Sequence, residues 1–177
     1  MNESEVLDEM EVYKGWLRIV QRTVRHPNGG VQKYDIVNPG SHSVCAVAFN
    51  EQQNIILVEM YRFGHAKRLK ELPAGGVEQG ESFADAMRRE LLEETGYEGD
   101  IVEIGSHLIA AEHGVTRHVF VAKNCKYISE PQREPSEVDE GAEVVIVSVA
   151  EFKEIVRGGQ ITETGAAFMV LDRLGML

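Results

Sequence analysis

Residues 75–97 read GGVEQGESFADAMRRELLEETGY. Ser82 with Asp85 three positions later is a capping-box pattern, in which the hydroxyl takes an orphan backbone N–H and the carboxylate reaches back. The spacing therefore predicts a helix opening at Ser82. Phe83, Ala84, Met87, Leu91 and Leu92 recur at helical spacing, and Gly96 after Thr95 marks a left-handed terminator. A glycine-rich loop thus runs into a helix of about four turns.

Within that helix Glu90, Glu93 and Glu94 stand at i, i+3 and i+4, so three carboxylates crowd one face. They lie toward the helix C-terminus, where the macrodipole disfavours each by about 0.3–1 kcal/mol. One reading is a solvated acidic face, common on surface helices. The other is that a hard divalent cation takes up the charge, because carboxylate oxygens suit Mg²⁺ or Mn²⁺ together with substrate phosphates.

The spacing of Gly75, Glu81, Arg89-Glu90-Leu91, Glu93-Glu94 and Gly96 resembles the signature of the Nudix hydrolase family, with Tyr97 where an aliphatic residue is usual. The resemblance implies an α/β fold, a Nudix-type α/β/α sandwich with a mixed sheet, and an N-terminal antiparallel strand extension. It also implies hydrolysis of a nucleoside diphosphate linked to another moiety, with Mg²⁺ or Mn²⁺ as cofactor. By position, Glu90, Glu93 and Glu94 correspond to the metal-binding carboxylates, the Ala74 carbonyl to a backbone metal ligand, and Glu81 with Arg89 to a structural ion pair. Gly75 and Gly96 complete the box.

Met60-Tyr61-Arg62 followed by Glu71-Leu72-Pro73-Ala74-Gly75 resembles the ADP-ribose and ADP-sugar pyrophosphatase branch. That branch carries an N-terminal strand region that commonly swaps across a homodimer, so residues 1–42 are expected to dimerise and residues 43–177 to form the hydrolase domain. Arg62 becomes a candidate for holding a substrate phosphate through paired N–H donors; a surface arginine at a strand end is the bland alternative. Trp16 is a candidate stacking platform for the base, against a core or interface role. Residues 127–143 correspond to a mobile loop supplying a further ligand, Glu140, and a general base, Glu137 or Asp139; Glu93 is also a catalytic candidate. The alternative is a linker of no consequence. Beyond the box, Ala111-Glu112 replaces the proline or tyrosine of this branch. Other substrates therefore stay open, among them GDP-mannose, NADH and dinucleoside polyphosphates, as does a non-catalytic nucleotide sensor.

Along the rest of the chain, residues 1–10 read as a frayed tail or short helix and 12–25 as a strand. Pro27-Asn28-Gly29-Gly30 turns into a second strand at 31–37. Asn38-Pro39-Gly40-Ser41 breaks the pattern, and 44–49 and 55–61 read as buried central strands. The basic segment 61–70 reads as a phosphate-facing loop, and 101–109, 115–122 and 144–149 as strands. Ser148 with Glu151 opens a second helix, and a third runs over 164–174. His113 and His118 read as structural.

The chain has 177 residues and a net charge of −11, which argues against sequence-independent nucleic-acid binding but not against a small phosphorylated substrate. Two cysteines, Cys45 and Cys125, are too few for a disulfide framework. With no apolar run long enough for a membrane span or signal peptide, a cytoplasmic enzyme acting on a nucleotide-sugar is expected, without nucleic acid or membrane partners.

Overall fold

A computed structural model describes residues 3–133 and 135–177, the side chain of Glu137 lying outside the description. Two compact units are distinguished, one reaching to His42 and including Leu108–Arg117, the other comprising Ser43–His107 and His118–Leu177. Strand β1 (Glu5–Lys14) pairs antiparallel with β2 (Arg18–Arg25), which pairs with the first part of β3 (Val31–Asn50). Residues 5–10 are thus strand, not the tail or short helix their composition suggests. The reason is non-local: Glu5, Glu9 and Glu11 meet Arg25, Arg22 and Arg18 at 2.9, 2.6 and 2.8 Å. An acidic segment that reads as solvated by itself becomes half of a cross-strand charge ladder.

The sequence also merged β1 and β2 across Gly15-Trp16-Leu17. Here the chain turns, with Gly15 N–H on the Leu17 carbonyl at 3.0 Å. Asn38-Pro39-Gly40-Ser41 does not end β3. Asn38 and Gly40 instead take left-handed φ values of 45° and 74° within the strand, and Asn38 Oδ1 accepts Arg18 N–H at 2.7 Å.

The second unit shows how period-two alternation loads both faces of a sheet. In β3, Val44, Ala46 and Ala48 join one buried cluster while Cys45, Val47 and Phe49 join another. β4 (Ile55–Arg62) repeats this with Ile56 against Ile55 and Leu57, and β8 (His113–Tyr127) with Phe120 and Ala122 against Val119 and Val121. Helix α1 (Phe83–Thr95) covers the first face with Ala86, Met87 and Leu91. Helices α3 (Val149–Arg157) and α4 (Thr164–Arg173) cover the second with Phe152, Ile155, Val156, Val170 and Leu171. The expected α/β/α sandwich with a mixed sheet is what forms.

The remaining strands are β5 (Lys67–Glu71), β6 (Ala74–Gly76), β7 (Tyr97–Leu108) and β9 (Glu143–Val147), and a short α2 spans Pro135–Asp139. β5 occupies the segment read from its charges as a phosphate-facing loop: Lys67–Glu71 pairs with Val58–Arg62 of β4. Its lysines and arginine are strand residues, and only Leu69 and Glu71 of the five are buried, too few for an apolar alternation to show.

Candidate active site

Helix α1 is held at both ends by its own sequence. Ser82 Oγ accepts Asp85 N–H at 3.1 Å and donates to Asp85 Oδ2 at 2.6 Å, so the reach-back goes to the hydroxyl. At the other end Gly96 adopts φ 76° and its N–H bonds the Leu92 carbonyl at 2.8 Å. Burying Ala86, Met87 and Leu91 against the sheet fixes the helix rotation and, with it, the direction of the acidic positions.

Arg89 ties the loop to the helix. Its Nε and Nη2 donate to the two oxygens of Glu81 at 3.0 and 3.1 Å, and Nη2 also reaches the Gly76 carbonyl at 2.9 Å. Nη1 donates to Glu90 at 2.8 Å and Glu93 at 3.1 Å. The bidentate hydrogen bond from Arg89 holds the Glu81 carboxyl below its ordinary range, and the same pair pushes the guanidinium up.

Above this brace the backbone at 74–75 meets the helix carboxylates. Ala74 N–H donates to Glu94 Oε2 at 2.9 Å, and Glu94 is 6 % exposed. Gly75 packs on Glu90 so closely that a Cβ there would overlap all three terminal atoms of its carboxyl group. A side chain at this position would displace the Glu90 carboxylate, whereas the backbone conformation itself does not call for glycine. Glu90 and Glu94, beside the Ala74–Gly75 backbone, offer hard oxygen donors of the kind that suit Mg²⁺ or Mn²⁺. Among the described residues, no three acidic, histidine or cysteine side chains already converge as a cage; Arg89 Nη1 holds both Glu90 and Glu93.

Arg62, the candidate phosphate holder, is engaged by protein carboxylates. Nε and Nη2 grip both oxygens of Glu71, which is 5 % exposed, and Nη1 donates to Glu140 Oε2 at 2.8 Å. Its guanidinium is pushed up, first by the Glu71 hydrogen bond. Glu140 is further fixed through its carbonyl, which accepts Tyr61 N–H at 2.9 Å. The structure thus brings Arg62, Glu71 and Glu140 together. Asp139 is exposed at the end of α2, and the Glu137 side chain lies outside the described residues. Trp16 belongs to the N-terminal unit, where it is 91 % exposed in the β1–β2 turn.

Sequence reasoning assigned no role to Glu71 or Glu163, both buried. Glu71 had a signal, its place at the head of the Glu-Leu-Pro-Ala-Gly run. Glu163 had none: its carboxylate accepts Leu72 N–H across the fold at 3.2 Å. His118 is structural, stacked on Phe83 with ring centroids 3.5 Å apart and bonded to Glu103.

The profile of the NUDIX domain matches residues 41–163, most of the chain. The chain belongs to the Nudix family. Its Nudix box is the loop and helix just described, and the matched range contains every residue of the Arg89 brace and the Arg62 cluster. Over 174 residues, 95 % of this chain and 91 % of the other, it is 29 % identical to the ADP-ribose pyrophosphatase of Bacillus subtilis (strain 168). It is 36 % identical over 105 residues to the methanol dehydrogenase activator of Bacillus methanolicus; that match covers 57 % of this chain and only 55 % of the activator. Its fold is similar to the crystal structure of an ADP compounds hydrolase, with a TM-score of 0.81, 19 % identity, and coverage of 100 % of this chain and 98 % of the other. No helix among the described residues is long and apolar enough to cross a membrane.

Proposed function

We propose that this Nudix protein is a pyrophosphohydrolase that cleaves the pyrophosphate bond of ADP-ribose, giving AMP and ribose 5-phosphate, with Mg²⁺ or Mn²⁺ as cofactor. The observation that carries this is the meeting of Glu90 and Glu94 with the Ala74–Gly75 backbone, in a chain similar over nearly its whole length to an ADP-ribose pyrophosphatase. Glu90, Glu93, Glu94 and the Ala74 carbonyl would hold the cation, with Glu140 as a further ligand from the loop. When bound, the cation neutralises diphosphate oxygens and lowers the pKa of water.

The protein's own part is positioning and proton transfer. Arg89 keeps the box loop and helix in register through Glu81 and Gly76. Arg62 holds Glu140 beside Glu71 and keeps a guanidinium near the substrate phosphates. Asp139, exposed at the end of α2, or Glu137 accepts the proton of the attacking water, a task that requires a carboxylate within hydrogen-bond reach. Cleavage of a phosphoanhydride asks mainly for such placement and charge stabilisation.

The test is nucleoside monophosphate release, read as phosphate after phosphatase coupling, across ADP-ribose, ADP-glucose, GDP-mannose, NADH and diadenosine polyphosphates, with and without Mg²⁺. Metal-dependent turnover concentrated on ADP-ribose supports the reading; turnover elsewhere replaces the substrate, and silence throughout leaves a nucleotide sensor. We further assign the region up to residue 42 as a homodimerisation element, because Val6, Met10, Val12, Tyr13 and Trp16 are all exposed there. As the chain's single tryptophan, Trp16 reports on this directly. Its emission should shift to the blue as protein concentration rises through the dimer Kd, and light scattering showing only monomer would dismiss the assignment. With both cysteines free and buried, the reducing cytoplasm is the compartment we assign.

A further inference from the structure

Leu72 is 2 % exposed, and its backbone N–H is satisfied by a carboxylate 91 positions away in the chain. Glu163 Oε2 accepts that N–H at 3.2 Å, and Glu163 is itself 6 % exposed. Glu163 stands at the N-cap of α4, where its carbonyl accepts Ala167 N–H at 2.9 Å. Short N-cap side chains such as Asp turn back onto the first amides of their own helix. Glu163 makes no such bond; its backbone is anchored by α4 while its side chain serves the link between β5 and β6.

The residues on either side of Leu72 give this contact its meaning. Glu71 is gripped by Arg62, Leu72 by Glu163, the Pro73 carbonyl by Ala46 N–H at 3.1 Å, and Ala74 N–H by Glu94 at 2.9 Å. Gly75 then packs on Glu90. Five consecutive residues are each located by a different partner, and the run ends at the carbonyl and carboxylates of the proposed hydrolytic centre. Glu163 is the only one of these partners supplied from beyond β9. Its charge also faces the Arg62 guanidinium, which binds the run to Glu140.

We propose that Glu163 is a positioning residue for hydrolysis: by holding Leu72 it sets the Pro73–Gly75 backbone against Glu90 and Glu94. The proposal rests on the reading of Ala74, Glu90 and Glu94 as a metal centre. Hydrogen bonding and charge are separable here, because an amide oxygen in Glu163→Gln still accepts the Leu72 N–H whereas Glu163→Ala removes the acceptor.

The test compares wild type, Glu163→Gln and Glu163→Ala by amide exchange at Leu72, Mn²⁺ binding followed by electron paramagnetic resonance, and turnover. In wild type and the Gln variant the Leu72 amide exchanges slowly, and Mn²⁺ affinities agree within about threefold. In the Ala variant, at a temperature where circular dichroism shows it folded, the Leu72 amide exchanges at least tenfold faster, Mn²⁺ binds at least tenfold more weakly, and kcat falls more than KM rises. An unchanged Leu72 exchange rate in Glu163→Ala overturns the contact. A faster exchange with Mn²⁺ binding and kcat as in wild type overturns the positioning role and leaves a merely structural one. Should wild type itself bind no Mn²⁺ and turn over no substrate, the metal-centre reading has failed, and the positioning role falls with it even if Leu72 exchange responds.

Discussion

Gly75→Ala probes the centre with the smallest available change. The backbone of Gly75 is not in the left-handed region, so alanine fits its conformation; the conflict is with Glu90 alone. A Cβ there would overlap both carboxylate oxygens and the carbon between them, while ordinary carbon contacts begin near 3.5 Å. The carboxylate must therefore withdraw by more than about 1 Å, and a misplacement of that size in a reacting centre costs about 10²-fold in rate. Withdrawal also breaks the 2.8 Å bond between Glu90 and Arg89. A hydrogen bond to a charged group contributes about 1.5–3 kcal/mol, but Arg89 keeps Glu81, Gly76 and Glu93, so a loss of about 1 kcal/mol is expected. The assay is AMP release from ADP-ribose at saturating Mg²⁺, beside urea denaturation. Gly75→Ala should lose about 100-fold in kcat with a small fall in midpoint. Gly76→Ala, where a Cβ meets nothing within 4 Å, is the control and should stay near wild type. Turnover of Gly75→Ala within threefold of wild type would refute the reasoning.

Three further outcomes follow from the same contacts. Glu94→Gln should lower kcat by at least about 100-fold with circular dichroism unchanged, and activity near wild type would remove Glu94 from the centre. Because Arg89 holds the Glu81 carboxyl below its ordinary value, the stabilisation is fully present above the unfolded carboxylate range near pH 4.5 and is lost as pH falls through the lower folded value. The urea midpoint should thus be flat from pH 6 to 8 and drop below about pH 4.5, with a shallower drop in Glu81→Gln; identical acid profiles would dismiss the pair as a contributor. Burial pushes the Cys125 thiol up to about 11, so native protein should react with a thiol reagent at pH 8 far more slowly than protein in guanidinium, which should release both thiols. Equal rates would mean that Cys125 is open to solvent.

What the chain alone determined is what depends on neighbours a few positions apart. The Ser82–Asp85 cap, the Gly96 terminator, the apolar stripe of α1 and the stagger of Glu90, Glu93 and Glu94 repeat with the helical period, and so can be read along the sequence. The same holds for the buried runs of β3 and β4, and for the box spacing that resembles a known family. The tertiary structure decided what depends on partners far along the chain. β1 is a strand because its backbone pairs with β2, where Glu5, Glu9 and Glu11 find arginines, and β5 because its backbone pairs with β4. Arg62 was legible as a strand-end arginine before the box, but its capture by Glu71 and Glu140 required 78 residues of chain to return to β4. Glu163 was not legible at all, since nothing around it announces a buried acceptor and its partner is a backbone amide, which any residue but proline could supply. Local periodicity is written into residue types, whereas a hydrogen bond to a distant N–H depends only on where the fold places that N–H.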